Sequence, residues 1–521
     1  MATQSVMAVP AASTGGRSKP RLRAVTGGGP QLDTQREALA EAVMAGPGSA
    51  LTWDDDAQPA GLLKRLAGCG MVARALAETD HDCKYANNAL NGAAALLCVL
   101  AGCLFSGLGY NSLLSLMVSL PGLITGRAPG RKTLTGPALS LARARLGEAP
   151  LRRLFELVAV GGQVLGPGSM WKGMELTAYD GSTIECFSDP GLAAEFGVPT
   201  GGKHPLARLV TLISCGSRRI LAAAVGGYHD SEQALAGELI NALWPGTLNT
   251  ADRNFFSMAR WIAAAATGAA LVWRVKNGAK SVPFKVIKTL PDGSQLVRIG
   301  ESDGMRARRR AQIGDPAAPR LPDVIARLVE FGLLTTTERG KKKISRFRLL
   351  TTLLDHQTYP ARQVAQVYAE RWSVEISYLH LKNTLRGSGR VLRGRSVPLA
   401  RQEIWAYLIV YNMLCDLATQ AAALDSADPD QISIIAVPHL LRDRVTADTC
   451  CPHCGKHATG AAEAIAALVA AIAAHPKNRT DRQRTGPRTK AQRRTGHTEN
   501  VDYTITIIPS NLTKLDRNPK T

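Results

Sequence analysis

From about Leu51 to Gly147 the apolar positions recur at helical spacing. Leu62, Leu63, Leu66 and Val72 lead into the apolar run Ala93–Phe105, and a period near 3.6 residues predicts packed helices. Leu139, Leu141, Leu146, Leu151, Leu154 and Leu157 extend the pattern, interleaved with Arg143, Arg145, Arg152 and Arg153. Near Met170 the period changes. Met174–Phe187 (MELTAYDGSTIECF) reads as a strand that turns at Asp180-Gly181 and continues. LARLVTLISC (206–215) and ILAAAVGGY (220–228) are two further strands, separated by the hairpin signal Gly216-Ser217. Ser231–Leu243 opens with an N-cap serine and an early glutamate and has a helical period. Thr247–Asp252 is a short strand, Phe255–Ala266 a helix and Ala269–Lys276 a strand. Three strands, helix, strand, helix, strand is an α/β order with a mixed sheet.

Beyond Asn277 the helical period fades until about Asp355. Val282–Val286, Leu296–Ile299 and Ile344–Leu353 look like strands joined by basic turns, with Arg306, Arg308, Arg309 and Arg310 in one cluster. Pro360 then begins a long helix reaching about Leu385, and helices resume at 398–423 and 460–474. The resulting division is a basic arm (1–48), a helical N-terminal domain (49–165) whose interleaved arginines suit DNA binding and a solvated face equally, an α/β core in two parts (170–276 and 356–397), a β-rich insertion between them (277–355), a helical C-terminal region (398–475) and a basic tail (476–521). The arm and the tail are too polar to build a core and read as disordered.

Charge narrows the choice of partner. The 521 residues carry 63 Lys+Arg against 42 Asp+Glu, a net charge of +21, which points to a polyanion. The 45% hydrophobic and 20% charged composition is that of a globular chain. Ala93–Phe105 is shorter than the roughly 20 apolar residues a spanning helix needs, and Met1–Ala50 has no apolar core of a signal peptide. The expectation is a cytoplasmic protein with no membrane partner, associated with the nucleoid when bound to DNA. Seven cysteines, among them Cys98, Cys186 and Cys415, are dispersed among apolar residues, as buried thiols in a reducing compartment would be.

Three acids stand out by context. Asp180 lies within an apolar strand (AYDGST) and Asp252 ends another (NTADRNF). A carboxylate so placed is costly unless paired or metal-bound, although Asp-Gly is also a common turn. On the helix from Pro360, Tyr368, Arg371, Glu375 and Lys382 follow one another at steps of three, four and seven, which puts all four on one helical face with Tyr378 among them. Val367, Val374, Leu381 and Leu385 form the apolar stripe beside it. An exposed face with an Arg371–Glu375 pair would have the same pattern.

Together these segments resemble the DDE transposases of the insertion sequence four family. YAERWSVEISYLHLK matches the family signature Y-x2-R-x3-E-x6-K, AYDGST the first-acid strand, and TADRNFFS the second-acid turn. LVWRVK, RFRLLTTLLD, VPLARQEIWAYLIVYN and SLARARLGEAPLRRLF also look like this family, so the resemblance runs from about Leu51 to Val437. It implies a ribonuclease H-like mixed sheet with helices on both faces, interrupted by the β-rich insertion. It implies that Asp180, Asp252 and Glu375 are the catalytic triad and the ligands of two Mg²⁺, replaceable by Mn²⁺. Tyr368, Arg371 and Lys382 would contact DNA near the reacting phosphate. Such an enzyme binds the ends of its element as a homodimer, cleaves them, and joins the 3′-OH ends to target DNA. A non-catalytic DNA-binding derivative, or a metal-dependent nuclease on the same fold, remains the alternative. No GxxxxGK[ST] loop is present, so ATP is not expected. Some relatives pass through a DNA hairpin held by a tryptophan; Trp273 and Trp372 flank the right regions, and both read better as core.

CCPHCGKH (450–457) contains one C-x2-C, Cys451 and Cys454, followed by His457. Zinc needs four ligands, and no second C-x2-C follows. A surface loop with free thiols is the stronger reading of these residues.

Overall fold

The structure, a computed structural model, describes residues 69–81, 89–120, 134–161, 170–277, 282–336, 342–371, 377–378, 380–387, 389–447, 461–475 and 503–507. Among the described residues, five helices come first: α1 (Cys69–Ala77), α2 (Gly92–Leu104), α3 (Tyr110–Ser119), α4 (Gly136–Leu146) and α5 (Ala149–Gly161). Side-chain caps start two of them. Asn91 accepts from the Ala94 N–H, and Thr135 from the Ala138 N–H ahead of a proline in the first turn.

The α/β part follows: β1 (Met170–Trp171), β2 (Met174–Glu185), α6 (Pro190–Phe196), β3 (Leu206–Ser214), β4 (Ile220–Gly227), α7 (Glu232–Glu238), β5 (Thr247–Ala251), α8 (Met258–Ala266) and β6 (Ala270–Val275). Contrary to the sequence expectation, β2 does not turn at Asp180-Gly181. It runs unbroken, and β3 pairs with it from Thr177↔Ser214 to Glu185↔Leu206. The ladder of a central strand overrides the local turn preference of Asp-Gly.

The next segment holds β7 (Phe284–Thr289), β8 (Gln295–Ile299), α9 (Asp303–Ile313), β9 (Val324–Thr336) and β10 (Lys342–Thr351). Two of these depart from expectation. The Arg306–Arg310 cluster lies on a helix capped by Ser302, not in a turn, and Arg309 forms a two-bond pair with Glu301 at 2.7 and 3.1 Å. The strand β9 carries Arg327 and Glu330, which break its apolar pattern; Arg327 is buried, paired with Asp292 and donating to the Ser294 hydroxyl at 2.8 Å and the Tyr359 carbonyl at 2.6 Å. The sheet order is β4-β3-β2-β5-β6-β10-β9-β8-β7, with β1 on β2. Segment 277–355 therefore extends the core sheet, because β10 pairs directly with β6. Within the basic tail, Tyr503–Ile507 forms β11, antiparallel to Phe331–Thr335 of β9; the five-residue alternation YTITI suits a strand despite its charged surroundings.

Then come α10 (Ala361–Ala369), a π-helical turn (His380–Leu385), α11 (Val397–Leu424), α12 (Ala436–Ala447) and α13 (Ala461–Ala473). The single long helix expected from Pro360 is thus an α-helical and a π-helical piece, with 372–376 between them outside the described residues. Both faces of the sheet are covered. Leu176, Ala178, Leu209 and Leu248 join the N-terminal helices and α11 in one core, while Tyr179, Leu212, Trp261 and Trp273 form a second core on the other face. Trp273 is fully buried there, donating from Nε1 to Asn249 at 2.9 Å.

The helix α11 ties the parts together. Gln402 donates to the carbonyls of Arg143 and Gly147 (3.1 and 2.6 Å) and accepts from Arg143 Nε (2.9 Å), fixing α4. Asn412 satisfies both backbone groups of Ile220 at the start of β4. Among the described residues α11 is the one helix long and apolar enough to cross a membrane, and 78% of its most apolar window is buried inside the protein.

Candidate active site

Strand register brings the two aspartates together. β2 and β5 are parallel with a constant offset, Glu175 beside Thr247 through Ala178 beside Thr250. Continued by two residues, that offset sets Asp252 level with Asp180. β5 and β6 are likewise parallel, Leu248 beside Ala270 through Ala251 beside Trp273, which sets Arg274 level with Asp252. The ion pair Arg274 Nη1–Asp252 Oδ1 at 3.2 Å is what this alignment requires. Neighbouring strands lie about 4.8 Å apart, and side chains alternate with a period of two. Asp180, Asp252 and Arg274 therefore form a row on the face carrying Leu176, Ala178 and Leu248. The row sits where β5 and β6 end, the usual place for a ligand on parallel strands.

The chain from α10 forms the opposite wall. Tyr378 is buried, and its hydroxyl lies 2.6 Å from Thr211 Oγ1 and donates to the carbonyl of Asp180 at 2.8 Å. Thr211 is the residue paired with Asp180 on β3, so this one hydroxyl ties the wall to the strand at the first aspartate. Arg371 is 5% exposed and lies over the Tyr368 ring, 5.6 Å from its centroid. Arg274 lies over the Phe347 ring at 4.2 Å.

Electrostatics follow from this packing. Burial raises the Asp252 carboxyl, but Arg371, Arg274 and the Arg253 backbone N–H outweigh it and hold the group below its ordinary value, hence ionised. Burial, with Arg386 nearby, lowers the Lys382 ammonium, against the opposing pull of Glu185 and Asp180. The Tyr378 hydroxyl is pushed up by burial and then by the Asp180 charge.

The expected residues divide as follows. Asp180, Asp252, Arg371 and Lys382 converge on one face of the sheet. Tyr368 is fully buried, packed 6.4 Å from Phe347 with its phenol raised by burial. It underlies Arg371 instead of facing DNA, because this side of the helix is its apolar contact with the sheet. Glu375 lies outside the described residues, as do Trp372, Cys451, Cys454 and His457. Among the described residues no group of three or more His, Cys, Asp or Glu side chains is placed to hold a metal.

Three contributors were not legible as site residues. Arg274, a lone cation in the apolar run LVWRV, carried the clearest signal. Thr211 carried none, since its role comes from cross-strand pairing. The third is Glu232, held by Arg208 Nη1 (2.9 Å) and Asn254 Nδ2 (2.7 Å). A Cβ on Gly181 would lie 3.1 Å from its carboxyl, so glycine next to Asp180 makes room for Glu232.

Two aspartates level on adjacent strands of a mixed sheet, with Arg371 and Lys382 on the chain packed over them, suit the chemistry of a DDE-class transposase. The transposase DDE domain family matches residues 171–413, and the insertion element 4 transposase N-terminal family matches 57–156. The chain belongs to the insertion element 4 family of DDE transposases. It is 28% identical over 311 residues to the transposase InsG for insertion sequence element IS4 of Escherichia coli (strain K12), an alignment covering 58% of this chain and 66% of that one. Among solved structures, a chain of the piggyBac transposase synaptic complex with hairpin DNA matches with a TM-score of 0.38 and 9% identity, over 84% of this chain and 89% of that one, too distant a likeness to bear on fold or chemistry.

Proposed function

We propose that the chain is a cut-and-paste transposase that binds the ends of its insertion sequence in a homodimeric synaptic complex, cleaves them and joins the 3′-OH ends to target DNA, acting in the cytoplasm without ATP. The carrying observation is the alignment of Asp180 with Asp252, together with the flanks of Glu375. Arg371, four residues before Glu375, acts on the Asp252 carboxylate. Tyr378, three residues after it, binds the Asp180 carbonyl at 2.8 Å. We assign Asp180, Asp252 and Glu375 as the catalytic triad.

The donor set suits Mg²⁺ or Mn²⁺: carboxylate oxygens alone, with Asp252 kept ionised and both aspartates half-buried. Bound there, two such ions would activate the attacking water or 3′-OH and stabilise the leaving oxyanion. The chain's own residues do the rest. Arg371 and Lys382 neutralise and orient the phosphate, Arg371 with the option of two parallel bonds. Tyr368 and Phe347 hold Arg371 and Arg274 from below. Tyr378 fixes the wall to β2.

Asp180→Asn, Asp252→Asn and Glu375→Gln should each abolish cleavage of an element end while binding to it persists. Normal cleavage by any one of them removes that residue from the triad. A strand-transfer assay separates the transposase from a nuclease that never joins ends.

A further inference from the structure

A second cleft lies beyond the catalytic row. It encloses about 970 Å³ between the 106–110 loop of the N-terminal helices and the segment that follows the π-helical turn. Arg143, Arg390, Arg393 and Arg395 line it and, among the described residues, no carboxylate does.

The four guanidiniums are not equivalent. Arg143 is buried and committed to Gln402 and the Tyr110 hydroxyl. Arg390 and Arg393 each donate to the carbonyl of Ser106. A guanidinium has five N–H donors, so both keep donors for a ligand. Arg395 is exposed and lies on the Phe187 ring, 4.7 Å from its centroid. The nearest acid, Glu403, is buried beneath the cleft. Its carboxylate accepts from the backbone N–H groups of Arg393 (2.9 Å) and Gly394 (3.0 Å) and acts electrostatically on Arg143 and Arg393, so it shapes the loop and leaves Arg390 and Arg395 as the cations most available to a ligand. A Cβ on Gly394 would come within 2.5 Å of the Ala400 nitrogen; only glycine lets this loop seat against α11.

Its place relative to the aspartates is fixed by one bond. The Leu392 N–H donates to the carbonyl of Glu185 at 2.9 Å. Glu185 ends β2, five residues beyond Asp180, or about 17 Å at roughly 3.3 Å per residue. Duplex DNA rises 3.4 Å per base pair, so the same span is about five base pairs. We propose that this cleft grips the phosphate backbone of duplex DNA about five base pairs from the bond that is cut, which rests on the active-site reading above for the position of that bond. Planar guanidiniums converging without an acid are the donor set that phosphate oxygens select. Contacts to phosphate oxygens carry no direct sequence information, so such a grip would be independent of sequence.

The test uses the full chain and a short random-sequence duplex in the absence of divalent ions, with binding followed by fluorescence anisotropy across salt concentrations. Each lost phosphate contact lowers the slope of log K against log salt by about 0.9, so Arg390→Ala/Arg395→Ala should lower it by about 1.8. Arg390→Lys/Arg395→Lys should retain the slope. An unchanged slope in the alanine pair overturns the proposal. So does a lysine pair that falls as far as the alanine pair, since the arginines would then be structural ties. Because no metal is present, the result is separate from catalysis. Loss of cleavage in the triad variants with an unchanged slope leaves the enzyme standing and removes the cleft. A lowered slope with intact cleavage in the triad variants does the reverse.

Discussion

Arg274→Met isolates the electrostatics of the aspartate row. The substitution removes the charge 3.2 Å from Asp252 but keeps an unbranched stem over Phe347, so packing is largely preserved. What remains is two carboxylates level on adjacent strands, about 5 Å apart. Two unit charges at that distance repel by about 3 kcal/mol at an effective dielectric of 20, which is a ceiling. Arg371 and Lys382 stay in place, and Asp252 is 32% exposed, so a loss of about 1–2 kcal/mol in metal-free stability is expected. In the wild type a divalent ion must displace the Arg274 pair from Asp252; in the variant it need not. Affinity for Mg²⁺ or Mn²⁺ should therefore rise by roughly tenfold, the same free energy read through binding. The pH response follows from the lowered Asp252 group. A depressed carboxyl contributes stability above its unfolded pKa that is lost as pH falls through the folded one. Without Arg274 the contribution should be smaller and its loss on acidification complete at a higher pH. Thermal melting with and without metal, and titration calorimetry with each ion, give both numbers. Unchanged metal-free melting together with unchanged metal affinity would refute the alignment of Asp180, Asp252 and Arg274.

Tyr378→Phe removes the hydroxyl that binds Thr211 and the Asp180 carbonyl; a cost of about 1–3 kcal/mol in melting and single-turnover cleavage slowed by up to about 10²-fold through misplacement are expected, and a variant unchanged in both has no such tie. Glu175 is buried, and burial, opposed by Ser214 and Arg219, raises its carboxyl to about 7. Between its unfolded pKa near 4.5 and that value the folded chain holds a proton the unfolded chain has released, so stability falls as pH rises through this window. Glu175→Gln should flatten that fall and gain on the order of 2–3 kcal/mol above it; parallel wild-type and variant melting profiles from acid to neutral pH would show that Glu175 carries no such proton.

Much of this site was legible because its chemistry contradicts its surroundings. Asp180 and Asp252 interrupt apolar strands, and the Tyr368–Lys382 spacing is a helical face. The family resemblance identified the segments but not their contacts. What stayed hidden depends on partners distant in sequence. Thr211 matters only because β3 pairs with β2, and Arg274 only because β6 lies beside β5. Asp180-Gly181 reads as a turn when its neighbours are unknown; in the fold, a side chain at 181 would crowd the Glu232 carboxyl. Arg327 and Glu330 masked β9, since a charged residue inside a sheet is unrecognisable until its partner is known. Tyr368 was misjudged for a related reason: periodicity gives a face, but not which way that face points.

The cations are shared out along the row. Asp252 feels Arg371 and Arg274, whereas Lys382 is drawn toward Glu185 and Asp180. A continuous α-helix would keep Arg371 and Lys382 nearly in line. Lys382 lies within the π-helical turn at His380–Leu385, where each turn contains an extra residue. From there Glu185 binds Leu392, and the chain enters the arginine cleft. Positive charge thus runs in one direction, from Arg371 at Asp252, past Lys382 at Asp180, to Arg390 and Arg395. The acids stand on strands whose ladder fixes their spacing, while Arg371 and Lys382 stand on the covering chain. A DNA strand laid along β2 would meet a cation at each stage, with the carboxylates at one end of its path. If the cleft holds flanking DNA as proposed, that polarity would keep it from competing for the phosphate at the aspartates.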